Sequence, residues 1–157
     1  MRVHEQLLKA QGMPQKLVGK GLWDERLADI ARFEDYLARQ GVVILKFYLN
    51  LSRKEQKKRF MERLDKLDKN WKFSAADIRE RGFWDNYMNA YEEAIRATAT
   101  KAAPWYVVPA DNKWFTRIVV AAAIVEAVEK LDLAYPTVTD AQKKELAAAR
   151  LELAAEK

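Results

Sequence analysis

The sequence predicts an α/β fold, mostly helical by residue count, with one small parallel sheet. Three observations carry this. Val42 to Leu51 and Trp105 to Val108 are short, nearly continuous apolar runs, the pattern of strands covered on both faces of a parallel sheet. About fifty residues separate them, far more than the dozen or so that a parallel crossover needs. The other segments repeat apolar residues at helical spacing and begin at capping residues. The surplus in the connection is then an inserted helical pair.

Taken in order, residues 1–21 are weakly periodic, contain Gly12, Pro14, Gly19 and Gly21, and read as a loop or partly ordered lead-in. Gly19-Lys20 is no phosphate-binding loop, because the glycine and hydroxyl positions of that motif hold Pro14 and Gly21. From Trp23 to Gln40, Leu27, Ile30, Phe33 and Leu37 recur at helical spacing, and Gly41 ends the helix. After the first strand, Ser52 and Glu55 make a capping box that opens a helix to about Asp68. Phe60, Leu64 and Leu67 form one stripe on it, while Arg59, Arg63 and Lys66 form the neighbouring stripe. Ser74 to Asp77 is a second capping box. The helix it opens carries Trp84, Tyr87, Met88, Tyr91 and Ile95 on one face, read as core packing rather than a base-stacking platform. Asp111 is placed to cap a helix from Asn112 to about Leu131, which ends before Pro136. Thr139 and Gln142 open a final helix to Lys157, Ala- and charge-rich, read as a surface or interface helix over residues 137–157.

Composition narrows the chemistry. Cysteine is absent and His4 is the one histidine, which excludes disulfides and thiolate chemistry and argues against a histidine-based metal site or triad. No apolar run reaches the roughly 18 residues of a membrane span, and the N-terminus lacks a signal-peptide core, so a cytoplasmic location is expected. The net charge of +5 is concentrated: residues 52–81 hold eleven cations against six carboxylates, an excess equal to that of the whole chain. A cationic surface points to an anionic partner; the plain alternative is a solvated helix laced with i,i+4 pairs. Nucleic acid is disfavoured as that partner by the interleaved Glu62, Asp65 and Asp68, although a nucleic-acid-binding helical module stays open as a second reading.

Several segments, in order and spacing, resemble the family-2 polyphosphate kinases (polyphosphate:nucleotide phosphotransferases). They are Arg2-Val3-His4, Leu22-Trp23, Ile44 to Leu49, Ser52 to Arg63, Lys69-Asn70-Trp71-Lys72-Phe73-Ser74, Trp84 to Tyr87, Ala90-Tyr91-Glu92 and Ala103 to Trp114. The resemblance covers about residues 1–136. It implies the C-terminal part of a P-loop kinase-like parallel sheet with a helical lid at roughly 53–81. It also implies phosphate transfer between inorganic polyphosphate and a nucleoside mono- or diphosphate, with Mg2+. Arg59 and Arg63 are the expected catalytic cations, and Lys66, Lys69 and Lys72 the expected continuation of the polyphosphate track, with Trp71 seating the lid against the sheet. By analogy with adenylate-kinase-like loops, Asn112 and Lys113 are candidate nucleotide contacts, and Asp111 is more simply a helix cap. The glycine-rich cradle and acidic Mg2+-site residue that precede the counterpart of Arg2-Val3-His4 in the family are not in this sequence. A missing N-terminal half or a homo-oligomer is therefore expected to complete the sheet, and the chain alone is expected to turn over little. An inactive oligomeric fragment is the third reading.

Overall fold

The computed structural model describes residues 2–156. It contains helix α1 (Leu22–Arg39), strand β1 (Lys46–Asn50), helices α2 (Arg53–Asp65), α3 (Ala75–Arg81) and α4 (Trp84–Thr98), strand β2 (Trp105–Pro109), and helices α5 (Lys113–Glu129) and α6 (Asp140–Ala155). The chain divides into two compact units, with the boundary between Ile124 and Val125. The second unit holds α6, whose N-terminus is closed by the reciprocal Thr139–Gln142 box and whose residues are solvent-exposed.

In the first unit β1 and β2 pair in parallel, with Lys46 opposite Trp105 and Asn50 opposite Pro109. The expected α/β arrangement is present, as a small parallel sheet in a mostly helical chain. Phe47 and Tyr106 face each other in that register, with ring centroids 5.2 Å apart. Val108 is fully buried, and with Leu22, Ala103 and Ala110 it belongs to a thin core. A polar hub fastens the sheet to the helices. The Lys46 ammonium pairs with Glu34 of α1 and donates to the Thr98 carbonyl at the end of α4 at 2.7 Å. Trp105 Nε1 donates to Thr98 Oγ1 at 2.9 Å, and Lys46 lies 5.2 Å from the Trp105 ring centroid.

Several sequence expectations are corrected. The lead-in carries two 3-10 helices, Glu5–Gln11 and Gln15–Leu17, the first closed by Gly12 at φ +62. β1 has five residues rather than ten, because a parallel ladder extends only where β2 lies opposite, so Val42 to Leu45 have no strand to pair with. Neither strand is covered on both faces: Leu49 and Val107 are 51% and 55% exposed. α2 stops at Asp65, since Asn70 Nδ2 donates to the carbonyls of Arg63 and Leu64, both at 2.8 Å, and satisfies groups that a longer helix would have used. A 3-10 helix, Leu67–Lys72, follows. The single helix expected from Ser74 onward is two, broken at Gly82-Phe83; its Ser74–Asp77 capping box is reciprocal as expected.

Trp71 is not a core residue. It is 78% exposed, its Nε1 closes its own turn on the Asp68 carbonyl at 3.0 Å, and the Lys72 ammonium lies 4.9 Å from its ring centroid. The inward aromatic of this segment is Phe73, edge-to-face with Phe60 at 5.8 Å. Leu67, at 90% exposure, likewise leaves the expected apolar stripe of α2.

Candidate functional site

In open parallel sheets ligands gather at the carboxyl ends of the strands. Here those ends are Asn50-Leu51-Ser52 after β1 and Ala110-Asp111 after β2, and α2 starts between them. Ser52 caps α2 by accepting the Glu55 N–H at 3.1 Å. The return half of the expected capping box is absent, because Asp111 Oδ1 takes the Ser52 N–H at 2.7 Å. That bond, more than any other cause, holds the Asp111 carboxyl below its ordinary range, with the nearby Arg59 guanidinium a smaller contributor. Asp111 thus faces the start of α2, where a carboxylate also complements the helix dipole; its expected role as the cap of its own helix is corrected. The first turn of α5 leans on Thr116 instead, whose hydroxyl donates toward the Pro109 and Asn112 carbonyls.

The expected site residues fall into two groups. Arg59 is engaged: Nε donates to Glu55 at 3.0 Å, and Nη2 donates to the carbonyls of Ala110 at 2.8 Å and Asp111 at 3.1 Å. Arg63, one turn on, lies over the Phe60 ring at 5.7 Å. Lys66 is exposed between α2 and the 3-10 helix that carries Lys69 and Lys72. Among the described residues no ion pair engages Arg63, Lys66, Lys69 or Lys72. Asn112 and Lys113 are exposed where β2 passes into α5, next to the residues that hold Arg59. The Arg59 end of the cationic stripe and the Asn112-Lys113 turn therefore lie together.

The aromatic face of α4 does not form a closed core. Trp84, Tyr87 and Met88 are half-buried and Tyr91 is exposed. With Phe60 and Gln56 of α2 they border an open cavity of about 230 Å3. Tyr48 of β1 meets Tyr91 at 4.9 Å, and burial raises the Tyr48 phenol above its ordinary range.

One cluster escapes sequence reasoning. Glu80 Oε2 accepts from the Tyr87 hydroxyl at 2.6 Å and lies 2.7 Å from His4 Nε2. The Tyr87 hydroxyl, then His4, hold the Glu80 carboxyl below its ordinary range. The same bond to Glu80 pushes the Tyr87 phenol up to about 12. Arg2 pairs with Glu93 alongside. The spacing of Glu80 and Tyr87 was the only signal available, since His4 lies 76 positions away from its partner.

Among the described residues no group of three or more His, Asp or Glu side chains could hold a metal ion. The described residues thus offer no preformed three-ligand cation site. Among the described residues no helix is long and apolar enough to cross a membrane.

Comparison with known proteins identifies the family. Residues 15–136 match the family model described as Polyphosphate kinase 2 (PPK2). A protein of Leptolyngbya boryana, described as an uncharacterized protein in the chlN 3' region, is 48% identical over 135 residues, which is 86% of this chain and 99% of that protein. The ADP-polyphosphate phosphotransferase of Rhodopseudomonas palustris is 44% identical over 98% of this chain and 53% of its own length. The crystal structure of Polyphosphate Kinase 2 from Arthrobacter aurescens TC1 superposes with a TM-score of 0.77 at 39% identity, covering 94% of this chain and 49% of that one. The chain thus spans about half the length of these last two relatives. The matched region contains the parallel strand pair, the cationic helix between them and the turn that grips it, and the chain belongs to the polyphosphate kinase 2 family.

Proposed function

We propose that this chain supplies the polyphosphate-binding part of a phosphotransferase that moves phosphate between inorganic polyphosphate and a nucleoside mono- or diphosphate. The observation that carries the reading is the row of cations with no carboxylate partner among the described residues, Arg63, Lys66, Lys69 and Lys72, rooted at the carboxyl ends of two parallel strands. Phosphoryl transfer asks a protein chiefly to position charged groups and to neutralise charge as it spreads over the transferring oxygens. Arg63 suits this, because its planar fork bonds two phosphate oxygens at once, while the lysines add point charges along the polymer. Arg59 acts while anchored: its Nε and Nη2 are taken, which leaves the Nη1 N–H groups for a phosphate.

Residues 53–81 act in this reading as a lid that closes over the polyanion, excludes water and so favours transfer over hydrolysis. Trp71 and Phe73 divide the work there, the first flanking Lys72 on the outside and the second seated on Phe60. Asn112 and Lys113 are the proposed nucleotide contacts. In this reading the phosphate cradle that the family resemblance calls for belongs to the part of the longer relatives that this chain does not match.

The test is direct binding of long-chain polyphosphate to the purified chain at low salt, for wild type and Arg63→Ala. A charge-assisted bidentate contact of about 1.5–3 kcal/mol predicts roughly 10- to 150-fold weaker binding. Unchanged affinity in Arg63→Ala would remove the proposed track.

A further inference from the structure

The root of α2 is held from outside the helix at two points by one short turn. Before the first turn, the Asp111 carboxylate takes the Ser52 N–H at 2.7 Å. At the seventh residue of the helix, Arg59 Nη2 donates to the carbonyls of Ala110 and Asp111. At 1.5 Å rise per residue the backbones of Ser52 and Arg59 are about 10 Å apart along the axis, and the Arg59 side chain reaches back so that both bonds meet the same turn. Ties from two positions of the helix to one turn restrain its direction more than either tie alone. The turn itself is tied down by its own contacts. Ala110 is buried and its N–H donates to Asn50 at 2.9 Å, and the preceding Pro109 carbonyl is held by Thr116. Arg63 sits one turn beyond the second anchor, so its guanidinium inherits the direction the anchors set.

We infer that Asp111 is a positioning residue: by holding the Ser52 N–H it aims α2, and thereby presents Arg63 to its phosphate ligand. The inference rests on the proposed polyphosphate reading for the ligand, but the aiming of the helix is a property of the protein alone. It also accounts for a feature of the sequence. Ser52 and Glu55 read as a self-contained capping box, yet Glu55 turns to Arg59 and leaves the Ser52 N–H to a residue 59 positions away. The local motif is opened to make a long-range tie.

The test compares Asp111→Ala with Asp111→Asn in the full chain, each alone and combined with Arg63→Ala, using long-chain polyphosphate as the probe. Asn keeps an oxygen that accepts from Ser52, whereas Ala does not. Asp111→Ala is expected to weaken binding roughly 5- to 10-fold, as a lost bond to a charged group does when part of its effect reaches the site. Asp111→Asn is expected to stay within about twofold of wild type, with most of the bond retained. In the Arg63→Ala background the Asp111→Ala effect should largely vanish, since the two act through one contact. Hydrogen exchange of the α2 amides, measured without ligand, should quicken in Asp111→Ala and not in Asp111→Asn. A full Asp111→Ala loss on top of Arg63→Ala overturns the inference, as does unchanged exchange. If Arg63→Ala binds normally, the polyphosphate reading fails; the exchange result then still decides whether Asp111 aims the helix.

Discussion

Removing the carboxylate of Glu34 gives the sharpest test of how the sheet is fixed. Its side chain and that of Lys46 are only 13% and 12% exposed, and they pair with each other. The Lys46 ammonium has one further bond, to the Thr98 carbonyl, and the Trp105 ring beside it. Glu34→Ala leaves a nearly buried ammonium with a single carbonyl acceptor. Breaking a buried pair from one side costs about 3–5 kcal/mol. The site keeps some water contact and the Thr98 bond, so the lower end, about 3 kcal/mol, is expected. At roughly 2–4 °C per kcal/mol for a chain of this length, the melting temperature should fall by about 10 °C. The double variant Glu34→Leu/Lys46→Met removes both charges and keeps the volume, and should recover most of the loss. Calorimetry or circular dichroism melts of the four proteins in the cycle give the coupling directly. A Glu34→Ala melt within 2–3 °C of wild type, equivalent to about 1 kcal/mol or less, would refute the view that this pair fastens α1 and α4 to β1.

Three further outcomes follow from the local chemistry. The Tyr87 phenol, raised to about 12, should stay protonated at pH 11 in tyrosinate absorbance, while Tyr87→Phe should remove one late-titrating group from the curve. The linked stability is present below pH 10 and lost as pH rises toward 12; the depressed Glu80 carboxyl contributes in the opposite sense, above its unfolded pKa, and is lost as pH falls through its folded value. Its acid limb should be weaker in His4→Ala. Trp71→Ala, at an exposed position, should change stability by less than about 0.5 kcal/mol in urea melts; a loss of 3 kcal/mol or more would restore the core role that the sequence suggested.

What the sequence disclosed was whatever local spacing encodes. The apolar runs around Phe47 and Tyr106 located both strands, and the length between them implied a parallel pair. The boxes at Ser74 and Thr139 closed as written because both halves lie within one turn. The box at Ser52 did not, since its reciprocal partner, Glu55, had a better use for its charge in Arg59 and since Asp111 arrives from the end of the neighbouring strand. Strand length was overestimated because an apolar run says nothing about where its partner ends. Trp71 misled because aromaticity predicts burial only on average, and its indole found a donor route to Asp68 within its own turn. The cation stripe was legible as a helical period, but not the division between an anchored Arg59 and Arg63 beyond it, which depends on carbonyls about fifty residues away. The tie of His4 to Glu80 had no local trace at all.

The most direct trial of the account is complementation. The purified chain would be mixed with the part of the Rhodopseudomonas palustris relative that it does not match, and ATP formation from polyphosphate and ADP followed by a luminescence assay. Turnover that needs both components, and that falls when Arg63 is replaced by Ala, is the predicted result. Equal turnover by either component without the other, or a combined rate indifferent to Arg63, would contradict it.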